Sequence, residues 1–308
     1  MALYPTYRVA GVEMTDPSGR WELTPGTDLL PRFPGVRAAR WNVPGMPGET
    51  QATYAPPQPT QVKITLRINA VGGVANTIVK GGRDARIKAI KDNINLLFYS
   101  ISLARQAYWG LVEIRRYSSG SDWVKANGRM ISSAEPRFDP ANDYAELDLL
   151  FDIPSGVWMA PAIDVTEARV NAGTTRIKVP AGTAPSVENM VCLKPTGSAH
   201  ESKYGTRIVV KGGQHGGFKI GLQGKSFTLP ANQWTMVNTL YWKMGTTATK
   251  YDWGCSKPYK GLIEPSARPM GSALTIVPSA ERNWAYVYIT HHHTKPVDVI
   301  IRSRKCYY

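Results

Sequence analysis

Residues 61–71 have the sequence QVKITLRINAV, in which apolar and polar side chains alternate. Successive side chains of a β-strand point to opposite sides, so alternate residues of an extended chain share one face. The side chains that would share the apolar face are Val62, Ile64, Leu66 and Ile68. The sequence YAELDLLFDI at 144–153 has the same period of two. Both segments therefore predict strands with one buried and one solvated face.

One segment departs from this alternation and predicts a helix. Over residues 83–105 the apolar positions recur at spacings of three and four, which traces one stripe along an α-helix. These positions are Ile87, Ile90, Ile94, Leu97 and Ile101. Asp84 near the start and Arg105 near the end match the helix dipole. The sequence thus predicts a single amphipathic helix, bounded by Gly81-Gly82 and Gly110, that covers one face of a sheet.

A proline-rich stretch lies ahead of the first long strand. It consists of PRFPGVRAARWNVPGMPGE at 31–49 and YAPPQPTQ at 54–61. Proline cannot donate a hydrogen bond to a sheet, so this region is predicted to be loop, edge strand or hairpin. It could reach out to a neighbouring subunit or be an ordinary surface connection, and both interpretations stay open.

The second half of the chain predicts many short strands and no second helix. Turn-separated alternating segments favour a β-sandwich of jelly-roll or lectin-like kind. The predicted strands are 174–179, 187–194, 206–211, 216–222, 225–229, 234–243, 272–277 and 284–290. We expect a first domain over 1–165 and a second over 166–308. The last strand, 298–308, either closes the second domain or returns to the first.

The charge is distributed unevenly between these halves. The chain carries 37 basic and 23 acidic residues, a net charge of +14. Residues 1–165 hold 18 basic and 16 acidic residues, whereas 166–308 hold 19 and 7, so their net charges are +2 and +12. The basic residues are scattered singly along strands, which favours solvated strand faces and an acidic partner over a nucleic-acid groove.

Other features concern the cellular compartment. The longest apolar runs fall well short of the roughly 20 residues that cross a bilayer, and MALYPTYRVAGVEMTDP at the N-terminus lacks the features of a secretion signal. We therefore expect no transmembrane helix and assembly in a cytoplasm.

The three cysteines, Cys192, Cys255 and Cys306, form no CxxC pair and are predicted to be small buried apolar residues.

The chain contains no recognisable catalytic or cofactor motif, so we expect no enzyme, no catalytic residue and no cofactor. Nucleophile elbows, Walker loops, HExxH and dinucleotide fingerprints are all absent from the sequence. His291, His292 and His293 form one cluster, in which only His291 and His293 would share a strand face. No metal site is predicted from them, although a metal on a symmetry axis of an assembly stays open.

Aromatic residues crowd one lysine-rich stretch of the second half. They are Trp234, Tyr241, Trp242, Tyr251, Trp253 and Tyr259. Exposed aromatic rings can stack on sugars or anchor protein interfaces. We interpret Trp234, Trp242, Tyr251 and Trp253 as a candidate surface for a glycan or a protein partner, with packing in the sandwich core as the alternative.

The order of these parts resembles the distal tail protein (Dit) family of long-tailed, siphovirus-type phages. The similarity includes the segment VNAGTTRIKVPAGTAPSVENMVCLKPTG at 170–197 and the C-terminal segments AYVYI and VDVIIRSRKCYY. Residues that match the family's entry into the sandwich are Asn171, Gly173, Thr174, Gly182, Thr183, Ala184 and Pro185. One departure lies in the turn Pro44-Gly45-Met46-Pro47-Gly48, where the family often has a basic residue.

The resemblance implies a mainly β chain with a tail-tube-like N-terminal sandwich or barrel and a galectin-like C-terminal sandwich. It further implies a homo-hexameric ring at the tail tip of the virion, assembled in the host cytoplasm. Its partners would be the tail tube protein above and the baseplate hub and tail-associated proteins below, with the tape measure protein and a host cell-wall glycan as further candidates. No membrane and no sequence-specific nucleic acid are expected. The alternatives are a host-glycan-binding adhesin and another minor tail or tube subunit.

Overall fold

The protein is described by a computed structural model, and the chain divides into two units. They comprise Met1–Pro161 with Tyr308, and Ala162–Tyr307. The described residues are 6–28, 40–41, 50–51, 59–72, 77–107, 110–117, 123–133, 135–139, 143–186, 188–197, 200–202, 208–212, 215–220, 227–238, 243–247, 257–258, 263–265, 274–279 and 283–307. Among them, no helix combines the length and apolar character needed to span a bilayer.

The first unit combines short and long strands with one described helix. Its elements are β1 (Tyr7–Val9), β2 (Val12–Glu13), β3 (Trp21–Leu23), β4 (Arg40–Trp41), β5 (Thr50–Gln51), β6 (Thr60–Asn69), β7 (Val71–Gly72), β8 (Thr77–Ile78), α1 (Arg83–Ala107), β9 (Val112–Tyr117), β10 (Trp123–Ser133), β11 (Arg137–Asp139), β12 (Tyr144–Ile153) and β13 (Trp158–Met159). The mainly β class with one helix, predicted from the sequence, is confirmed for the described chain.

The main sheet of the first unit is antiparallel and has the strand order β2-β1-β9-β10-β12-β6-β3. Its longest ladder joins β12 to β6 over ten residue pairs, from Tyr144↔Asn69 to Ile153↔Thr60. Burial along β12 alternates without a break, as its sequence predicted. Residues of the two strands that face the core are 0–2% exposed; they are Val62, Ile64, Leu66, Ile68, Ala145, Leu147, Leu149, Phe151 and Ile153.

Helix α1 packs its predicted stripe against this sheet. Ile90, Ile94, Leu97 and Ile101 are at most 7% exposed, while Ile87 is partly exposed. Asn93 lies in the same stripe and is also buried. Its side-chain amide donates hydrogen bonds to the carbonyls of Asn69 at 3.0 Å and Val71 at 2.9 Å. Asn93 therefore links the helix to the end of β6, because its amide supplies hydrogen bonds to two backbone carbonyls near the core.

Of the three structures predicted for the proline-rich stretch (loop, edge strand or hairpin), the described residues form a pair of strands typical of a hairpin. Strands β4 and β5 pair antiparallel, with Arg40 opposite Gln51 and Trp41 opposite Thr50. Among the described strands, this pair forms a sheet of its own. The turn Pro44–Gly48 lies outside the described residues. A two-stranded ribbon is marginally stable in water, so this hairpin would gain stability from additional contacts.

Every described helix or strand of the second unit is a strand. They are β14 (Asp164–Val170), β15 (Gly173–Pro180), β16 (Met190–Pro195), β17 (His200–Ser202), β18 (Ile208–Gly212), β19 (His215–Ile220), β20 (Phe227–Leu229), β21 (Trp234–Asn238), β22 (Lys243–Thr247), β23 (Lys257–Pro258), β24 (Ile263–Pro265), β25 (Trp284–His291), β26 (Val297–Ser303) and β27 (Cys306–Tyr307). One predicted strand is wrong: within 272–277 the described residues form only a single bridge, between Ile276 and Ser186.

Two antiparallel sheets of the second unit enclose a core. One has the order β14-β26-β16-β21-β22-β23, and the other has the order β15-β25-β18-β19-β24. Alternate residues of both sheets meet in a single apolar cluster; examples are Val191, Leu193, Phe218, Val287 and Ile301. This arrangement is a β-sandwich, as the sequence predicted.

The central strands of the six-stranded sheet are buried on both faces. A second apolar cluster, made of Cys192, Trp234, Met236 and Ile300, lies on the face turned away from the sandwich core. Each of these side chains is at most 9% exposed. Consecutive apolar residues in MVCL (190–193), WTMV (234–237) and VII (299–301) reflect this two-sided burial, because a strand with one wet face would alternate.

The C-terminal segment belongs to the second unit up to Tyr307. Strand β26 lies between β14 and β16. Beyond it, the Ala184 amide donates a hydrogen bond to the Cys306 carbonyl at 2.9 Å. Gly182 permits this close approach, since a Cβ atom built on it would lie 2.0 Å from that carbonyl oxygen. A residue with a side chain could not occupy position 182 without moving the backbone.

Candidate assembly surface

Several strands of the main sheet of the first unit pair on one side only within the described chain. Strands β2 and β3 end the main order of strands, and β11, which lies off that order, pairs with β12. Such edges present N–H and C=O groups that another chain can bind. The edge at β11 also carries an exposed apolar side chain, Phe138.

A groove of about 150 Å³ lies between the N-terminal half of α1 and β11, which we call the α1–β11 groove. Ile87 and Ile90 of the helix line one side, and Phe138 lines the other. Phe138 is 41% exposed although it pairs with the fully buried Ala145. At this edge of the sheet, apolar side chains of the helix and of β11 are therefore accessible from the surface.

Polar groups surround the apolar part of the α1–β11 groove. Arg86 of the helix forms an ion pair with Asp143, which occupies the left-handed region with φ 51° in the turn before β12. The guanidinium of Arg67 lies 4.2 Å from the centre of the Tyr144 ring. Partial burial and a hydrogen bond to the Asp139 carboxylate raise the pKa of the Tyr144 hydroxyl. Both carboxylates thus already have partners, and the arrangement suits the docking of an apolar side chain better than acid–base chemistry.

Phe138 is not among the residues that the sequence marks as candidates. It lies in PRFDPANDY, an otherwise polar and turn-rich segment at 136–144. An isolated aromatic residue beside a turn was the available signal, but sequence alone could not place it next to the helix. The helix also exposes apolar residues on its outer side, where Leu96 is 39% and Tyr99 63% exposed.

Of the four residues of the candidate aromatic surface, Trp234 is the one that belongs to the described residues. This residue is buried in the second apolar cluster and has the Lys194 ammonium 5.7 Å from its ring centre. A ring enclosed in this way has little area to offer a sugar, because stacking needs an uncovered face. Trp234 is therefore a packing residue here. Trp242, Tyr251 and Trp253 lie outside the described residues.

The histidine cluster ends strand β25. His291 is 1% exposed, whereas His292 is exposed and His293 is partly exposed. The rings of His291 and His293 stack with their centres 6.1 Å apart, although His293 lies beyond the end of the strand. In the part of the chain that the structure describes, no group of three or more His, Cys, Asp or Glu side chains is placed to hold a metal ion.

Burial of His291 predicts a stability that depends on pH. Desolvation, followed by the charges of His293 and His292, lowers the pKa of His291 to about 4 from 6.5. The unfolded chain binds this proton more readily than the folded chain, so the free energy of unfolding should fall as the pH drops from 6.5 toward 4 and should not change from this cause above 6.5. Urea unfolding of the second unit across this range would measure the slope. His291→Gln should flatten the slope, whereas the exposed control His292→Gln should retain it.

The predicted burial of the cysteines is confirmed where the chain is described. Cys192 and Cys306 are 1% and 2% exposed, and Cys255 lies outside the described residues. Burial raises the pKa of the Cys306 thiol to about 12. The thiol is therefore protonated and inert at neutral pH.

Comparisons with known proteins find the fold but no sequence family. No family model matches the chain, and no curated protein matches it. The solved structure of the Dit protein of phage SPP1 superposes with a TM-score of 0.58 and 12% identity, covering 99% of both chains. That protein is described as a paradigm of the hub adsorption apparatus in phages that infect Gram-positive bacteria. A chain of the phage P2 baseplate in its activated conformation with Ca matches over 98% of both chains with 10% identity and a TM-score of 0.38.

The likeness to SPP1 Dit extends over both units and their order along the chain. Identity of 12% is too low to transfer residue roles. The resemblance to distal tail proteins that the sequence suggested is confirmed at the level of the fold: this chain folds like the siphophage distal tail protein Dit of SPP1.

Proposed function

We propose that this chain is a non-enzymatic structural protein of a phage virion. In this proposal it forms a homo-hexameric ring at the tail tip that joins the tail tube to the baseplate hub and the host-recognition apparatus. The observation that carries the proposal is the fold likeness to SPP1 Dit, which includes nearly every residue of both chains. A match to one unit alone would be compatible with many unrelated functions.

The surfaces of the first unit support a role in self-assembly. A closed ring needs two different faces on each copy, one of which binds the other on the next copy. The α1–β11 groove offers an apolar pocket beside a strand edge. The hairpin of β4 and β5 offers a two-stranded ribbon that is isolated among the described strands. We infer that the hairpin or a neighbouring edge of one copy docks at the groove of the next.

The distribution of charge supports different roles for the two units. A net charge of +2 over residues 1–165 allows copies of the first unit to pack without strong repulsion. A net charge of +12 over 166–308 would oppose close packing of the second units and favour acidic partners. We therefore assign ring contacts to the first unit and contacts with other tail or host components to the second.

Electron micrographs and light scattering of the purified full chain test this proposal. We expect rings of six copies for the natural sequence. Phe138→Glu places a charge in the α1–β11 groove and should weaken ring formation at least ~10-fold, because a buried unpaired charge costs several kcal/mol. The thermal unfolding of the monomer should change little, since Phe138 is 41% exposed.

Val165→Glu is a matched control, because Val165 is a strand residue that is 50% exposed in the second unit. Rings of this variant should persist. A natural chain that remains monomeric at all concentrations would overturn the proposed function. Rings that survive Phe138→Glu but disappear with Val165→Glu would contradict the assignment of ring contacts to the first unit.

A further inference from the structure

The five-stranded sheet of the second unit carries a row of aromatic residues on its outer face. Strand β25 buries Ala285, Val287 and Ile289 in the sandwich core. The alternate positions therefore point away from the core, and they hold Trp284, Tyr286 and Tyr288. Trp284 is 39% exposed and the two tyrosines are partly exposed.

Basic residues flank this row on both sides. Strand β15 places Lys178 opposite Tyr286 and Arg176 opposite Tyr288. Strand β18, on the other side, places Lys211 opposite Tyr288. All three basic side chains are exposed. We call this set the aromatic–basic face: Arg176, Lys178, Lys211, Trp284, Tyr286 and Tyr288.

Two of the cations are held over aromatic rings. The Lys178 ammonium lies 4.2 Å from the centre of the Trp284 ring, and the Arg176 guanidinium lies 4.2 Å from the centre of the Tyr286 ring. Cation–π contacts restrict long side chains that would otherwise move freely. The positive charges are thus positioned in advance, which lowers the entropy cost of binding an anion.

Acidic residues are scarce on this sheet. Its described strands contain four Lys or Arg residues, at positions 176, 178, 211 and 219, and one acidic residue, Glu264. Glu264 pairs with Lys219 at the far edge of the sheet, away from β15. Among the described residues of this sheet, the aromatic–basic face therefore carries an excess of positive charge.

We propose that the aromatic–basic face binds a linear polymer of polyol or sugar units joined by phosphodiesters. Arg176 and Lys178 are two residues apart on an extended strand, so their backbone positions repeat at about 6.6 Å. A phosphodiester chain carries its negative charges in the backbone, in line with one another, and can follow such a row. Guanidinium and ammonium groups both bind phosphate well, and the Tyr288 hydroxyl can donate a hydrogen bond to it.

The geometry disfavours other polyanions. Single-stranded nucleic acids bind through bases that stack on uncovered aromatic faces, whereas cations lie over the rings of Trp284 and Tyr286. Chains of linked uronic acids carry carboxylates that project to alternating sides, so only part of them could meet a single row of cations. This inference goes beyond the proposed ring and does not depend on it, because the second unit alone supplies the face.

Binding of defined glycerol-phosphate oligomers to the full chain tests the inference. We expect binding that weakens with added salt and that quenches or enhances tryptophan fluorescence through Trp284. The double variant Arg176→Ala/Lys178→Ala should bind at least about 10-fold more weakly. Tyr286→Phe should bind nearly as well as the natural chain, whereas Tyr286→Ala should bind more weakly because Arg176 loses its support.

The matched control is Lys88→Ala/Lys91→Ala, which removes the same charge from exposed positions of helix α1. It should leave the affinity unchanged. Equal affinity for the Arg176→Ala/Lys178→Ala variant and this control would overturn the inference, as would absence of binding at low salt. Tighter binding of a single-stranded DNA or a polyuronate of equal charge would assign the face to another ligand. Binding by the ring-deficient Phe138→Glu variant separates this result from the proposed function.

Discussion

Phe151→Ala should lower the free energy of unfolding of the first unit by about 3–5 kcal/mol. Phe151 is fully buried near the C-terminal end of β12, where it pairs with Val62 of β6 and Met130 of β10. Its truncation would leave a cavity in the core beside these strands. The loss of stability has two parts: the transfer free energy of the removed ring, and the van der Waals contacts that the atoms around the cavity no longer make. Calorimetry should show a decrease in Tm of roughly 10 °C for the first unit.

The neighbouring residue provides a control on the same strand. Leu150 points to the opposite face of β12 and is partly exposed. Leu150→Ala should therefore cost about 1 kcal/mol. Comparable losses for the two variants would contradict the assignment of faces along β12, since a shift of one residue in register would exchange them.

Gly182→Ala should destabilise the second unit by about 3 kcal/mol, because the added methyl group cannot be accommodated by side-chain movement. The new Cβ would lie 2.0 Å from the carbonyl oxygen and 2.8 Å from the carbonyl carbon of Cys306. The chain at Cys306 would have to move away, and its hydrogen bond with the Ala184 amide would be lost. Displacement would also expose the Cys306 thiol.

Thiol labelling followed by peptide mapping measures this displacement directly. In the natural chain, burial and a pKa of about 12 should make Cys306 nearly unreactive. The Gly182→Ala variant should label at Cys306 much faster under native conditions. Gly82→Ala is the control, since a Cβ there would meet no atom within 4 Å. Equal labelling rates in the two variants would mean that β27 does not depend on the contact at Gly182.

Much of the fold could be predicted because local patterns matched the tertiary environment. The stripe from Ile90 to Ile101 predicted α1 to within two residues of its observed end, Ala107. The alternation in 61–71 and 144–153 predicted the two strands that form the longest ladder. In both cases one face of the element is buried and the other is exposed to solvent, and the spacing of the apolar residues in the sequence reflects this difference.

The candidate sites were harder to predict because they depend on neighbours distant in sequence. Trp234 was taken as a possible binding residue, yet it packs against Cys192 and Ile300 from other strands. For β25 the sequence predicts only a strand, because nothing in WAYVYI (284–289) reveals that Arg176 and Lys178 lie over its rings. Composition identifies aromatic and basic residues, but pairing of strands decides which of them meet.

The sequence by itself determined the mainly β class, the single described helix, the sandwich in the second half and the unequal charge of the two halves. These properties follow from periodicity and composition, which act over a few residues or over the whole chain. Tertiary structure alone decided that Phe138 and the helix line one groove, that Gly182 admits the Cys306 carbonyl and that cations lie over the aromatic row. These residues are far apart in the sequence, from 48 positions for Ile90 and Phe138 to 124 positions for Gly182 and Cys306. The register of non-local strands, which no local pattern encodes, brings them together.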